Sequence, residues 1–133
     1  VEIVEGSEKC AEVSDAVVAA AEKMGKAPLS SNESPGLISN RVLCPMLKEE
    51  MRALQDGGAG VEAIEGIRNL GRSDRIGPLA LSDLIGLDTV LHIMNVLHEG
   101  FGDDKYAPAK LLEEMVAQGK LGRKSGQGFY DYS

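Results

Sequence analysis

The chain has 133 residues, 43% of them apolar and 26% charged, enough to bury one core without staples and unlike a disordered or fibrous protein. A net charge of −7 argues against sequence-independent nucleic-acid binding, which needs clustered cations to displace counterions. No apolar run approaches the ~20 residues of a membrane span, no signal peptide is visible, and two cysteines with no spacing motif read as reduced thiols of a cytoplasmic protein.

The chain opens on "VEIVEG", an alternating strand-like run with no turn before it and no initiator Met, so it reads as a chain cut inside a sheet. A helix is predicted over about residues 7–24, with Val13, Val17, Ala20 and Met24 as one apolar stripe and Gly25 as its stop. "KAPLSS" is a short extended piece and "NESPG" a turn. A long helix follows over about residues 37–55, with Ile38, Val42, Met46 and Leu54 along it and Pro45 inside to bend it, and "DGGAG" ends it. Val61, Ile64, Ile67 and Leu70 recur at strict threes in the next helix, and Pro78 starts "PLALSDLIG". Gly86 separates this from a helix over about residues 87–101 carrying Val90, Met94, Leu97 and Phe101. Pro108 starts a last helix through Leu111, Leu112, Met115 and Val116 to Gly119, and "KSGQGFYDYS" places an aromatic cluster where it docks on the surface. The chain is therefore mainly α: a short strand-helix-strand piece, then five helices with short connections.

Local motifs supply no complete site. No G-x-G-x-x-G follows a strand, and "GGAG" follows a helix, which makes it a stop rather than a phosphate cradle. His92 and His98 are six apart, the wrong spacing for metal ligands on one helical face, so no metal site is expected. Asp83 and Asp88 flank Gly86 and would either pair for acid–base work or leave Asp88 to cap the next helix. The cationic run "GKLGRKSG" reads as a solvated tail segment, and Cys10 and Cys44 each fall inside a predicted helix. Two residues stand out. Glu2 lies in an otherwise apolar strand and Asn40 early in a helix with apolar turns; each is either a structural partner or a functional group, and spacing alone leaves both readings open.

Three blocks, "SPGLISNRVLCPMLKEE", "IGPLALSDLIGLDTVLHIM" and "LLEEMVAQGKLGRKSGQGFYDY", resemble in order and spacing the C-terminal part of the NAD-dependent 3-hydroxyacyl-CoA dehydrogenases, the bacterial 3-hydroxybutyryl-CoA group above all. The resemblance implies a helical C-terminal domain of the 3-hydroxyacyl-CoA dehydrogenase (6-phosphogluconate dehydrogenase C-terminal-like) type. Residues 1–35 would then be the end of a Rossmann NAD-binding domain with its hinge, and residues 36–133 the substrate-pocket and dimerisation domain. It implies interconversion of 3-hydroxyacyl-CoA and 3-ketoacyl-CoA with NAD or NADP, an acyl-CoA substrate and a homodimer, with no nucleic acid, membrane or metal involved. In such enzymes a His is the general base, a Glu orients it and an Asn holds the substrate oxygen. Glu2 matches that Glu, in "VEIV", and Asn40 matches that Asn, in the "SNR" after "SPG". Arg41 is expected to position or to pair, not to react. The His, the glycine-rich nucleotide motif and the assisting Ser all map before Val1, so this chain alone is expected to be inactive and to bind no cofactor tightly. One further departure puts Ala80 where the family has a carboxylate. Two alternatives are a non-catalytic helical module for dimerisation or acyl-CoA binding, which leaves Glu2 and Asn40 without a use, and the β-hydroxyacid dehydrogenases, against which "SPGLISNR" and "GRKSGQGFYDY" speak.

Overall fold

A computed structural model of the chain describes residues 1–6 and 10–133; the start of the first predicted helix, with Ser7, lies outside them. Strands β1 (Glu2–Glu5) and β2 (Leu29–Asn32) pair in parallel, Glu2 opposite Leu29 and Glu5 opposite Asn32. Helix α1 (Ala11–Lys23) connects them, the crossover that parallel neighbours require. Cys10 is exposed and stands just ahead of this helix rather than inside it. The expected α1 stripe is not a core face: Val13, Val17 and Met24 are exposed and only Ala21 is buried. One two-stranded sheet is too narrow to cover that stripe.

Five helices follow: α2 (Ile38–Gln55), α3 (Val61–Arg72), α4 (Pro78–Ile85), α5 (Leu87–Phe101) and α6 (Lys110–Ala117). Helix α2 runs on through Pro45. Helices α4 and α5 meet at 96° across Gly86, whose φ of +101° suits a residue without Cβ. No single helix is long and apolar enough to cross a membrane. The core is built by Leu47 and Met51 of α2, Leu79 of α4, Leu87, Met94 and Leu97 of α5 and Leu112 of α6, all fully buried.

Two stripes turn differently from their sequence reading. Helix α2 buries Cys44, Leu47, Lys48 and Met51, while Ile38 and Val42 face outward. In α3 a strict spacing of three lags the helix by about 60° per step, so Ile64 is buried but Ile67 and Leu70 have swung to the surface. The α5 stripe is inward as expected. Burial lifts the Cys44 thiol to about 11, which keeps it protonated.

Several helix starts borrow their caps from elsewhere in the chain. The residues before α2, α4 and α6 are Leu37, Gly77 and Ala109, none of which caps with a side chain. Instead the buried Glu65 of α3 accepts from Leu79 N (2.7 Å) and Ala80 N (3.3 Å), and Gln55 of α2 accepts from Leu111 N (3.0 Å). Gly77 has no room for a Cβ because the Glu65 carboxylate occupies that space. Lys48 does the converse, its Nζ donating to the carbonyls of Asp104 (2.7 Å) and Lys105 (3.0 Å).

The Pro35–Gly36 turn packs closely against α5. A Cβ at Gly100 would run into the Pro35 ring, and one at Gly36 would meet Leu97 Cδ2 at 2.8 Å. Gly100→Ala is therefore expected to destabilise: overpacking against a stiff ring costs about 1–3 kcal/mol, against a gain of about 1 kcal/mol in helix propensity. Gly66→Ala in α3 meets nothing within 4 Å and is expected to gain about 0.5–1 kcal/mol. Denaturant midpoints of the two variants should move in opposite directions.

Candidate functional site

The Glu2 carboxylate leaves the sheet and caps the N-terminus of α2. Its Oε1 accepts from Ile38 N (2.6 Å) and Ser31 Oγ (3.2 Å), and its Oε2 accepts from Ser39 N (3.2 Å) and Ser39 Oγ (3.0 Å). This follows from local rules. The parallel register sets Glu2 beside Leu29, and the alternation of β2 then puts Ser31 on the same face. The first N–H groups of a helix have no intrahelical acceptor and carry the positive end of its dipole, so a carboxylate fits there. The Ile38 N–H bond is the strongest influence on Glu2 and holds its carboxyl below the ordinary glutamate value of 4.5; slight desolvation opposes it, and the Ser39 and Ser31 bonds add to the lowering.

Glu2 is thus a fixed negative charge at neutral pH. It is poorly suited to give or take a proton itself and well suited to hold and polarise an N–H donor. Val1, Glu2, Leu29, Ser31, Ile38 and Ser39 line an open cleft of about 430 Å³.

Asn40 is half-buried in the first turn of α2, one residue beyond Ser39, and is not among the residues lining that cleft. Its side chain makes no hydrogen bond among the described residues. The structure therefore brings Glu2 onto the turn that carries Asn40 without joining the two side chains. Arg41 is tied to the helical core instead: its Nε donates to Tyr106 Oη (3.2 Å), and its guanidinium lies 4.5 Å from the centre of the Phe101 ring, which stacks on Tyr106. Ser31 and Ser39 were missed in the sequence, where both look like ordinary residues around a turn.

The other candidates resolve as structure. Asp83 is fully buried and accepts from Phe129 N (2.9 Å), Tyr130 N (3.0 Å) and Tyr132 Oη (2.9 Å), which pins the aromatic tail to α4. Asp88 accepts from Thr89 N (2.9 Å) at the start of α5 and pairs with Lys124 at 2.5 Å. These two aspartates do not form an acid–base pair. The cationic run is also not simply solvated, because Lys124 is in that ion pair and Arg123 lies over the Tyr132 ring. His98 pairs with Asp104 on the helical side, and neither histidine lines the Glu2 cleft. No group of three His, Cys, Asp or Glu residues among the described residues is arranged to hold a metal. A dinucleotide does not fit the residues present either, since β1 leads into a segment with the single glycine Gly6 and not a glycine-rich phosphate turn.

A model of the C-terminal domain of 3-hydroxyacyl-CoA dehydrogenase matches residues 36–132. A probable 3-hydroxybutyryl-CoA dehydrogenase of Deinococcus radiodurans is 54% identical over 99% of this chain and 48% of its own length. One from Bacillus subtilis is 51% identical over 99% of this chain and 46% of its own length. The crystal structure of (S)-3-hydroxybutyryl-CoA dehydrogenase PaaH1 from Ralstonia eutropha superposes with a TM-score of 0.95 at 47% identity, covering 99% of this chain and 47% of that one. The chain spans about half the length of each of these relatives. Its mainly helical architecture and the likeness to relatives along nearly its whole length agree: the chain belongs to the 3-hydroxyacyl-CoA dehydrogenase family and carries that family's helical C-terminal domain.

Proposed function

We propose that this chain is the substrate-side part of an enzyme that interconverts 3-hydroxyacyl-CoA, 3-hydroxybutyryl-CoA first of all, and 3-ketoacyl-CoA with NAD or NADP. Residues 1–35 form the end of the nucleotide-binding domain and its hinge, and residues 36–133 the acyl-pocket and dimerisation domain of a cytoplasmic protein. The observation that carries the reading is the ionised Glu2 carboxylate, fixed at an open cleft by four hydrogen bonds. Such a group orients an imidazole and stabilises the imidazolium that forms when the base takes the hydroxyl proton. Base and nucleotide cradle both come from outside these residues. Asn40, with no competing partner among the described residues, offers its amide N–H to the substrate oxygen. The homodimer forms through the outer face of α2, where Val42 is exposed.

The test is a chimera in which residues 1–133 replace the matching half of the Deinococcus radiodurans relative. NADH oxidation with acetoacetyl-CoA, followed by absorbance, should be restored to within about tenfold of that relative, while the chain alone stays at the buffer rate because a missing base typically costs 10²–10⁴-fold. A folded, NADH-binding chimera that does not turn over would overturn the reading.

A further inference from the structure

We propose that Ser39 is the positioning residue for Glu2, and that the Ser31 hydroxyl occupies the place on the carboxylate which an incoming imidazole N–H takes. The proposal rests on the reading of Glu2 given above.

A carboxylate has about four lone-pair sites, and Glu2 fills all of them, with two donors on each oxygen. An imidazole N–H is accepted only if one of the four leaves. The Ile38 and Ser39 N–H groups belong to the first turn of α2 and leave only if it unwinds. That reserves the exchange for a hydroxyl, which rotates about a single bond. The two hydroxyls are not equivalent. Ser39 places its Oγ (3.0 Å) and its own N–H (3.2 Å) on the same oxygen, Oε2, a two-point grip that fixes how the carboxylate plane is turned. Ser31 gives a single longer bond (3.2 Å) to Oε1 from the neighbouring strand, and its half-buried side chain lines the cleft, where water can take over the released hydroxyl. Ser31 thus keeps the carboxylate satisfied while the site is open, and Ser39 keeps it aimed when the imidazole arrives.

Thr and Val have the same shape, so at position 39 they differ in the hydroxyl alone. In the chimera, Ser39→Val is expected to lower kcat about tenfold with KM unchanged, the size of one hydrogen bond to a charged group. Ser39→Thr should restore the rate, and Ser31→Ala should lower kcat clearly less than Ser39→Val does. In the 133-residue chain itself, a carboxyl-carbon NMR titration should show the Glu2 midpoint rising in Ser39→Val and not in Ser39→Thr. An unmoved midpoint, or Ser39→Val at the parent rate while Glu2→Gln is slow, overturns the positioning role alone. A loss in Ser31→Ala equal to that in Ser39→Val overturns the exchange. Glu2→Gln at the parent rate overturns the proposal together with the reading of Glu2 on which it rests.

Discussion

Asp83→Ala is expected to cost about 3 kcal/mol, roughly 10 °C in Tm for a chain of this size. The aspartate is 1% exposed and is the acceptor for Phe129 N, Tyr130 N and Tyr132 Oη. Removing it strands two backbone donors and a phenol in a place built around a carboxylate, because Gly122 and Gly128 pack so closely against Asp83 that neither has room for a Cβ. Nothing nearby can collapse into the gap without moving a backbone. The tail should loosen before the rest of the molecule does, so the variant should also be cut faster by trypsin after Arg123 and Lys124. Thermal unfolding and the cleavage time course check the two halves of this statement. Asp83→Asn, which keeps one acceptor oxygen, should fall between the parent and the alanine variant.

Glu2→Gln should have the largest effect on catalysis, about 10²–10³-fold in kcat of the chimera, with the fold retained. The amide keeps the size of the side chain but presents N–H donors where Ser39 also donates, and it removes the charge that would stabilise an imidazolium. The same variant carries a signed pH prediction. The Glu2 carboxyl titrates lower in the folded chain than when unfolded, so its contribution to stability is present above the ordinary value of 4.5 and is lost as pH falls from there through the lowered folded value. Denaturant midpoints of parent and variant should therefore differ at neutral pH and converge on the acid side. Asp88 and Asp131 are also lowered and persist in both proteins, so only the difference between the two curves reports Glu2.

The sequence was readable wherever one helix carried its own signal. The bounds of α5 follow from Gly86 and the repeat of Val90, Met94 and Leu97, and α4 follows from Pro78 at its first position. Glu2 and Asn40 stood out because each is polar in apolar company. What stayed hidden was whatever depends on two distant segments meeting. Capping rules look for Ser, Thr, Asp or Asn beside a helix start, yet α2 takes its cap from a residue 36 positions away and α4 from one 14 positions away. Asp83 could not be recognised as the anchor of the tail, because its partners lie 46 to 49 positions later. The exposed stripes of α1 and α3 misled for the opposite reason: periodicity reports that a face is apolar and not which body covers it.

The borrowed cap of α4 also constrains how this protein can change over generations. Glu65 fills the space a side chain at Gly77 would need, so what is tolerated at one position depends on the other. Shortening Glu65 alone leaves the amides of Leu79 and Ala80 without their acceptor, and adding a side chain at Gly77 alone collides with the carboxylate. A serine or aspartate at position 77 together with a small residue at position 65 would return the cap to the conventional local kind. Each single step descends before the pair recovers, so lineages holding one arrangement are insulated from the other although both close the same helix.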